Sequence, residues 1–133
     1  MTTAQSILLI YGVFILTYGF ALGIPLAAAR MKAPQASRHL VTTHLSAIIQ
    51  GPIHFGLAFA AGVADLSAGW ATAAASLVVA GSAFEVAGGT VNWLANTGDQ
   101  FAERSFGFRL NSLVGPPAIS GMLIIAIGVV KGL

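Results

Sequence analysis

The sequence predicts an all-α integral membrane protein, a bundle of four transmembrane helices that forms a single domain over residues 1–133. Hydrophobic residues make up 56% of the chain and charged residues only 8%, whereas a soluble domain of this size has about a quarter of its residues charged. Apolar runs of the length that crosses hydrocarbon, about 20 residues, recur four times along the chain. The period-two alternation of a membrane β-barrel is absent.

The apolar runs define four helices in order. The first, from Ile7 to Ala29, carries no charged residue and is expected to remain in the mature protein, because it is too long for a signal-peptide core and no basic segment precedes it. The second extends from Arg38 to Ala64, and the third from Ala68 to Leu94. The fourth extends from Leu113 to Val130, and the segment Gly115-Pro116-Pro117 places proline in its first turn, where no amide hydrogen is needed.

Basic residues mark one end of the predicted bundle. The first and third connections carry most of them: Arg30, Lys32, Arg38, Arg104 and Arg109. Only Lys131 lies near the opposite end. Because connections rich in lysine and arginine stay on the cytoplasmic side of a membrane, both termini are expected to face away from the cytoplasm. The second connection, Asp65-Leu66-Ser67, is predicted to be a tight hairpin.

The third connection, residues 95–112, is long for a link between two helices. It contains Asn96, Asp99 and Glu103 together with three phenylalanines. We predict that it forms a lid, part of it a helix lying in the membrane interface. A plain connector whose aromatic residues anchor it at the interface is the alternative.

Polar and small residues form a stripe along the third helix. Glu85, Gly88, Gly89 and Asn92 follow helical spacing, and Gly81 and Ser82 extend the stripe. The glycines alone favour close packing of a neighbouring helix. A charged group in mid-membrane costs roughly 2.5 kcal/mol or more, so Glu85 is a functional candidate, expected to be protonated and to donate a hydrogen bond. A structural bond to a carbonyl freed by proline is the alternative.

The second helix carries the histidines. Gln50 and His54 share one face, whereas His44 lies about 120° around the helix from Gln50, and Pro52 is expected to kink the helix. A neutral imidazole offers a lone pair to haem iron or zinc, and hydrogen bonding between helices is the alternative. His39, at the start of the helix, is expected to be a solvated interface residue.

The second and third helices are antiparallel, so polar residues on the two helices can be matched by their depth in the membrane. A rise of about 1.5 Å per residue places Glu85 near Gln50 and Asn92 near His44. These four side chains are therefore expected to converge on one cavity in the cytoplasmic half.

Several functional classes are excluded. The chain contains no cysteine and its net charge is only +2, which removes thiolate metal sites and makes nucleic acid an unexpected partner. No phosphate-binding glycine loop, nucleophile elbow or transporter-sized repeat is present, so the sequence does not indicate a nucleotide-driven protein or a hydrolase.

Two segments carry a resemblance to a known family. The segment His44-Leu45-Ser46-Ala47-Ile48-Ile49-Gln50-Gly51 and, one helix later, Gly89-Thr90-Val91-Asn92-Trp93-Leu94-Ala95 resemble the small four-helix membrane isomerases that include hydroxylaminobenzene mutase and styrene oxide isomerase. Gln50 replaces the family's asparagine, and Glu85 replaces the aspartate of the styrene oxide isomerases. Asn92-Trp93 stands where those isomerases have a tyrosine and matches the mutases.

The resemblance implies an isomerase or mutase that rearranges a small apolar aromatic epoxide or hydroxylamine. It implies haem b with His44 as the axial iron ligand and ferric iron as the Lewis acid, Gln50 and Asn92 as orienting amides, and Glu85 as the group that handles the proton. A homo-oligomer, in the family a trimer, and a location in a bacterial inner membrane are implied as well.

Two other functions are compatible with the residues. A cytochrome-type electron carrier with two histidine ligands would need His54 or His39 to act across a subunit boundary. A structural or small-solute transport subunit would use Glu85 and the glycine stripe for assembly or proton movement. A four-helix chain cannot easily enclose a porphyrin alone, so homo-oligomerisation with closed symmetry is expected.

Overall fold

The computed structural model describes all 133 residues, and every regular element in it is an α-helix. The helices are α1 (Thr3–Lys32), α2 (Arg38–Val63), α3 (Ala68–Leu94), the short α4 (Phe106–Ser112) and α5 (Gly115–Gly132). Four helical stretches are long and apolar enough to cross a membrane, the last formed by α4 and α5 together. The prediction of an all-helical chain with four such stretches is confirmed.

The helix boundaries follow the apolar runs, with extensions where polar side chains cap the ends. α1 begins four residues before the predicted Ile7 because Thr2 and Gln5 form a capping box. In it the Thr2 amide donates to the Gln5 side-chain oxygen at 2.8 Å. The helix then continues to Lys32. Arg30 and Lys32 in its last turn interact favourably with the partial negative charge at the carboxyl end of the helix.

Prolines inside two helices are accommodated without ending them. α1 continues through Pro25 and α2 through Pro52. Pro116 and Pro117 lie in the first turn of α5, as the sequence predicts. The hairpin between α2 and α3 is tight, and the Asp65 amide donates to the Gly128 carbonyl of α5 at 2.9 Å. This bond ties the hairpin to the end of the bundle where both termini lie.

Glycine makes the close approaches between helices possible. On α1, Gly12 faces the Phe55 and His54 side chains of α2, and an added Cβ at Gly12 would lie 3.2 Å from the His54 Cβ. On α5, an added Cβ at Gly121 would lie 2.6 Å from the Ala74 carbonyl oxygen of α3. In a membrane such backbone proximity supplies the packing that the hydrophobic effect does not.

The two ends of the bundle differ in character. The apolar core lies in the half near the termini, where nine small and aliphatic residues form one cluster: Ala4, Leu8, Ala58, Ala61, Ala71, Ala74, Ala75, Val78 and Ile125. The half near the basic connections contains only a small cluster of Ile15, Ala47 and Val86. Most buried polar side chains lie in this second half, which we call the basic half.

Candidate functional site

Glu85 is the centre of a hydrogen-bonded network between α2 and α3. Its Oε1 accepts a bond from the Ser46 hydroxyl at 2.8 Å, and its Oε2 accepts one from the Gln50 amide nitrogen at 2.6 Å. The Gln50 amide oxygen in turn accepts a bond from the Ser82 hydroxyl. We call these four residues the Glu85 network.

The network fixes the carboxyl group without a cation. Both hydrogen-bond donors to Glu85 are neutral, so they orient its oxygens without forming an ion pair. Because the Gln50 oxygen is used by Ser82, the Gln50 nitrogen is directed at Glu85, and the amide cannot turn over without breaking two bonds. The depth prediction that paired Glu85 with Gln50 is confirmed by this contact. Both oxygens of the carboxyl group are thus held by side chains of α2.

A polar cavity opens beside the Glu85 network in the basic half. Its volume is about 420 Å³, and α2, α3, α4 and the loop before α4 form its wall. Phe101 is the one hydrophobic residue among those that line it, and the others include Arg38, Ser46, Glu85 and Asp99. This size lies within the range of small-molecule sites in proteins, about 300–1,000 Å³.

His44 lies on a different face of α2 and is directed toward α1. Its Nδ1 is 2.8 Å from the Gly19 carbonyl oxygen, and an added Cβ at Gly23 would be in ordinary contact with the ring, 3.6 Å from its Cε1. His44 is not among the residues that line the polar cavity. The expected convergence of His44, Gln50, Glu85 and Asn92 is therefore wrong for His44, because the face 120° from Gln50 meets α1.

The Gly19 contact decides which ring nitrogen of His44 is free. A carbonyl oxygen only accepts, so Nδ1 carries the hydrogen and the neutral ring has its lone pair on Nε2. The residue is partly exposed. Metal-binding histidines in proteins are commonly oriented by this kind of Nδ1 hydrogen bond to a carbonyl oxygen.

The other two histidines are less accessible. His54 also has Nδ1 at 2.8 Å from a carbonyl oxygen, that of Gln50, but the residue is only 1% exposed and its ring packs on Tyr11 with centroids 4.9 Å apart. His39 is 8% exposed, which corrects the expected position on the exposed membrane interface; it is turned inward and lines the polar cavity. All three histidines lie on α2, so no two of them face each other from neighbouring helices of one chain.

Asn92 is part of a separate network that fastens the loop. Its side chain is fully buried, its nitrogen donates to the Gln100 side-chain oxygen at 2.9 Å, and its oxygen accepts from the Ser105 hydroxyl at 2.6 Å. Asn92 therefore does not converge on the cavity with Glu85 as expected. The reason is that α4 packs on this part of α3, where Gly107 approaches the Asn92 side chain.

The loop between α3 and α4 forms part of the cavity wall. Asp99, Gln100 and Phe101 line the cavity, and the loop is bounded by two non-glycine residues with left-handed backbone, Asn96 at φ 50° and Arg104 at φ 47°. Inside it, the Glu103 carboxyl group accepts the amide hydrogen of Gly98 at 2.8 Å. The predicted helical part of this connection is the seven-residue α4.

A second, apolar groove runs between α1 and α3. It has a volume of about 330 Å³, and Tyr11, Phe14, Tyr18 and Val86 are among its walls. The Tyr18 hydroxyl is 2.8 Å from that of Thr90, and it donates, since the Thr90 hydrogen is given to the Val86 carbonyl. The Tyr18 hydroxyl is thus directed at α3, and the two tyrosines form part of the wall of the groove.

Sequence reasoning missed two groups that the site uses, Ser46 and the Gly19 carbonyl, and it placed Ser82 on the polar stripe without identifying its partner. Ser46 donates to Glu85, Ser82 donates to Gln50, and the Gly19 carbonyl orients His44. Ser46 could have been found, because it is one turn before Gln50, and the contact of Ser82 could have been found because Ser82 is nearly one turn before Glu85. The Gly19 carbonyl had no signal, since the use of a backbone carbonyl as an acceptor for a side chain is not readable from residue type.

Comparison with known proteins adds no relative to this picture: no protein-family model, no curated protein and no solved structure matches the chain.

Proposed function

We propose that this protein is an intramembrane isomerase that rearranges a small apolar aromatic epoxide or hydroxylamine with haem b as cofactor. The observation that carries the proposal is the orientation of His44. Its Nδ1 hydrogen is committed to the Gly19 carbonyl oxygen at 2.8 Å, so a partly exposed ring offers the Nε2 lone pair. This is the donor that a haem iron takes from an axial histidine.

The donor set fits a haem better than a bare metal ion. No group of three or more His, Cys, Asp or Glu side chains is gathered in one place, as a site for an isolated ion would require. A porphyrin supplies four ligands itself, and one imidazole is sufficient. His44 would hold the group, because His54 has the same tautomer but is only 1% exposed. When bound, ferric haem supplies a Lewis acid for the substrate oxygen.

The Glu85 network supplies the proton chemistry in this proposal. Glu85 holds and moves the proton, and Gln50 and Ser46 fix its two oxygens at 2.6 and 2.8 Å. General acid–base groups held in this way contribute about 100- to 10,000-fold to a rate. Asn92 acts as a positioning residue, since it contacts Gln100 and Ser105 and through them fastens the loop that borders the cavity.

The proposal includes a homo-oligomer. His44 of α2 is directed toward α1, whereas Glu85 of α3 contacts a different face of α2, so one chain alone does not bring the two into a common pocket. A neighbouring subunit that packs on the His44 face could complete it. We propose a closed cyclic assembly, as the family resemblance implies a trimer.

The test is an absorption spectrum of detergent-purified protein. We expect a Soret band that His44→Ala abolishes and that the matched control His39→Ala retains, because His39 is turned into the polar cavity. With styrene oxide and phenylhydroxylamine as probes, Glu85→Gln should lower turnover about 100-fold or more while leaving the band intact. The acid at the opposite end of the bundle gives the control variant Asp65→Asn, which should keep its turnover.

A colourless protein expressed with sufficient haem would contradict the cofactor, and so would a Soret band unchanged by His44→Ala. Retained turnover in Glu85→Gln would contradict the role given to the carboxyl group.

A further inference from the structure

The polar cavity has a wall chemistry that is unusual for the inside of a membrane bundle. Hydroxyl, amide and charged side chains line it, and Phe101 is the sole hydrophobic residue among its twelve lining residues. A dry cavity of about 420 Å³ would leave these groups unsolvated, which is costly for each polar group. A cavity that is both polar and this large holds water readily.

The cavity reaches far into the bundle from one end only. Glu85 lies nine residues before the end of α3 at Leu94, which corresponds to about 14 Å along the helix axis. This is close to half of the hydrocarbon thickness of about 30 Å. On the other side of Glu85 the nine-residue apolar cluster near the termini closes the bundle. The cavity is therefore continuous with the basic end and not with the opposite one.

We propose that this cavity is a water-filled vestibule through which Glu85 exchanges its proton with the aqueous phase at the basic end, and which admits small hydrophilic solutes to Ser46 and Glu85. The charged and titratable groups that face it are Arg38 and His39 from α2 and Asp99 from the loop. The vestibule goes beyond the isomerase function, since it does not depend on haem or on any substrate. The vestibule also allows Glu85 to take its proton from water, so that no molecule dissolved in the lipid has to supply it.

The position of the loop determines the mouth of the vestibule. Asp99 and Gln100 border the cavity, and Gln100 is held by the Asn92 nitrogen at 2.9 Å. Arg38 and Thr42, both exposed, lie on the α2 side of the same mouth. Solutes would thus enter between the first turns of α2 and the fastened loop.

The natural absence of cysteine allows a direct test. Single variants Ser46→Cys and Leu45→Cys lie at the same depth on α2, but Ser46 lines the cavity and Leu45 is 50% exposed on the outer, lipid-facing surface. Opened membrane vesicles are treated with a trimethylammonium methanethiosulfonate, which reacts with thiolates in water. We expect Ser46→Cys to react about tenfold faster or more than Leu45→Cys, because a charged reagent is excluded from hydrocarbon. Equal rates, or faster reaction of Leu45→Cys, would overturn the proposal.

A second measurement uses the unmodified chain and does not depend on the folding of a variant. A water-soluble carbodiimide with glycine methyl ester should couple to Glu85, and peptide mass spectrometry locates the modified residue. A hydrophobic carbodiimide is the comparison. If only the hydrophobic reagent modifies Glu85, the carboxyl group is reached from lipid and the vestibule is disproved. Absence of a Soret band would leave both of these measurements unchanged, so the two proposals fail separately.

Discussion

At the residue scale, the Glu85 network is a polar unit whose members satisfy one another. Gln50 is its bridge: it accepts from Ser82 and donates to Glu85. Removal of one member leaves the others partly buried without partners. For hydrogen bonds inside a protein this penalty is larger than the net contribution of the bond itself.

We therefore predict that Gln50→Leu lowers the free energy of unfolding by about 1–3 kcal/mol. The double variant Gln50→Leu/Glu85→Leu should be destabilised by less than the sum of the single variants, with a coupling of about 0.5 kcal/mol or more. Reversible unfolding in mixed micelles measures all three. Gln35→Leu, in the exposed connection before α2, is the control and should change stability by less than about 0.5 kcal/mol. Additive effects at positions 50 and 85 would show that the network is not a unit.

The same residues show how far single positions could be predicted from sequence. The pairing of Glu85 with Gln50 follows from the constant rise of two antiparallel helices, and it is confirmed by a contact of 2.6 Å. The helical angle also separates His44 from Gln50. The angle does not determine which neighbouring helix packs on each face of α2. His44 contacts α1 and does not face the cavity. Asn92 was misassigned because the loop that binds it has no regular pattern to read.

At the element scale, helices come into close contact at positions where glycine leaves no side chain between them. Gly88 of α3 and Gly107 of α4 face each other, and an added Cβ at Gly88 would lie 2.6 Å from the Gly107 carbonyl oxygen. It would also collide with the Asn111 side chain. Gly88 in the stripe thus allows α4 to pack closely on α3, and close helix packing is what the glycines of the stripe predicted. Helix ends, by contrast, were predictable to within a few residues because the apolar runs end in polar or basic residues.

We predict that Gly88→Ala destabilises the protein by about 1–3 kcal/mol, since backbone atoms that cannot rotate away must shift to make room. Gly56→Ala on α2 is the matched control, because nothing lies within 4 Å of its added Cβ. In a helix interior that substitution should be neutral or stabilising by up to about 1 kcal/mol. Thermal unfolding of both variants in the same detergent gives the comparison. Equal stability of the two would mean that α4 does not rest on α3 at this position.

At the scale of the whole molecule, charge and polarity are gathered at one end. The basic connections, the fastened loop and the polar cavity share that end, whereas the apolar cluster closes the end where both termini lie. A polar site near the basic end is accessible to water, and a packed opposite end prevents leakage through the bundle. The orientation of the bundle in the membrane therefore matters for function, because it determines which aqueous compartment exchanges protons with Glu85.

The orientation itself is the last prediction. Because basic connections are retained in the cytoplasm, we expect Gln35→Cys, between α1 and α2, to react with a membrane-impermeant maleimide only in inside-out vesicles. Ser67→Cys, in the exposed hairpin at the other end, should react only in right-side-out vesicles or intact cells. Detergent-solubilised samples of both variants serve as the control and should react equally. The reverse pattern would invert the bundle and assign the vestibule to the opposite compartment, whereas reaction of both from one side would contradict the crossing of α2 through the membrane.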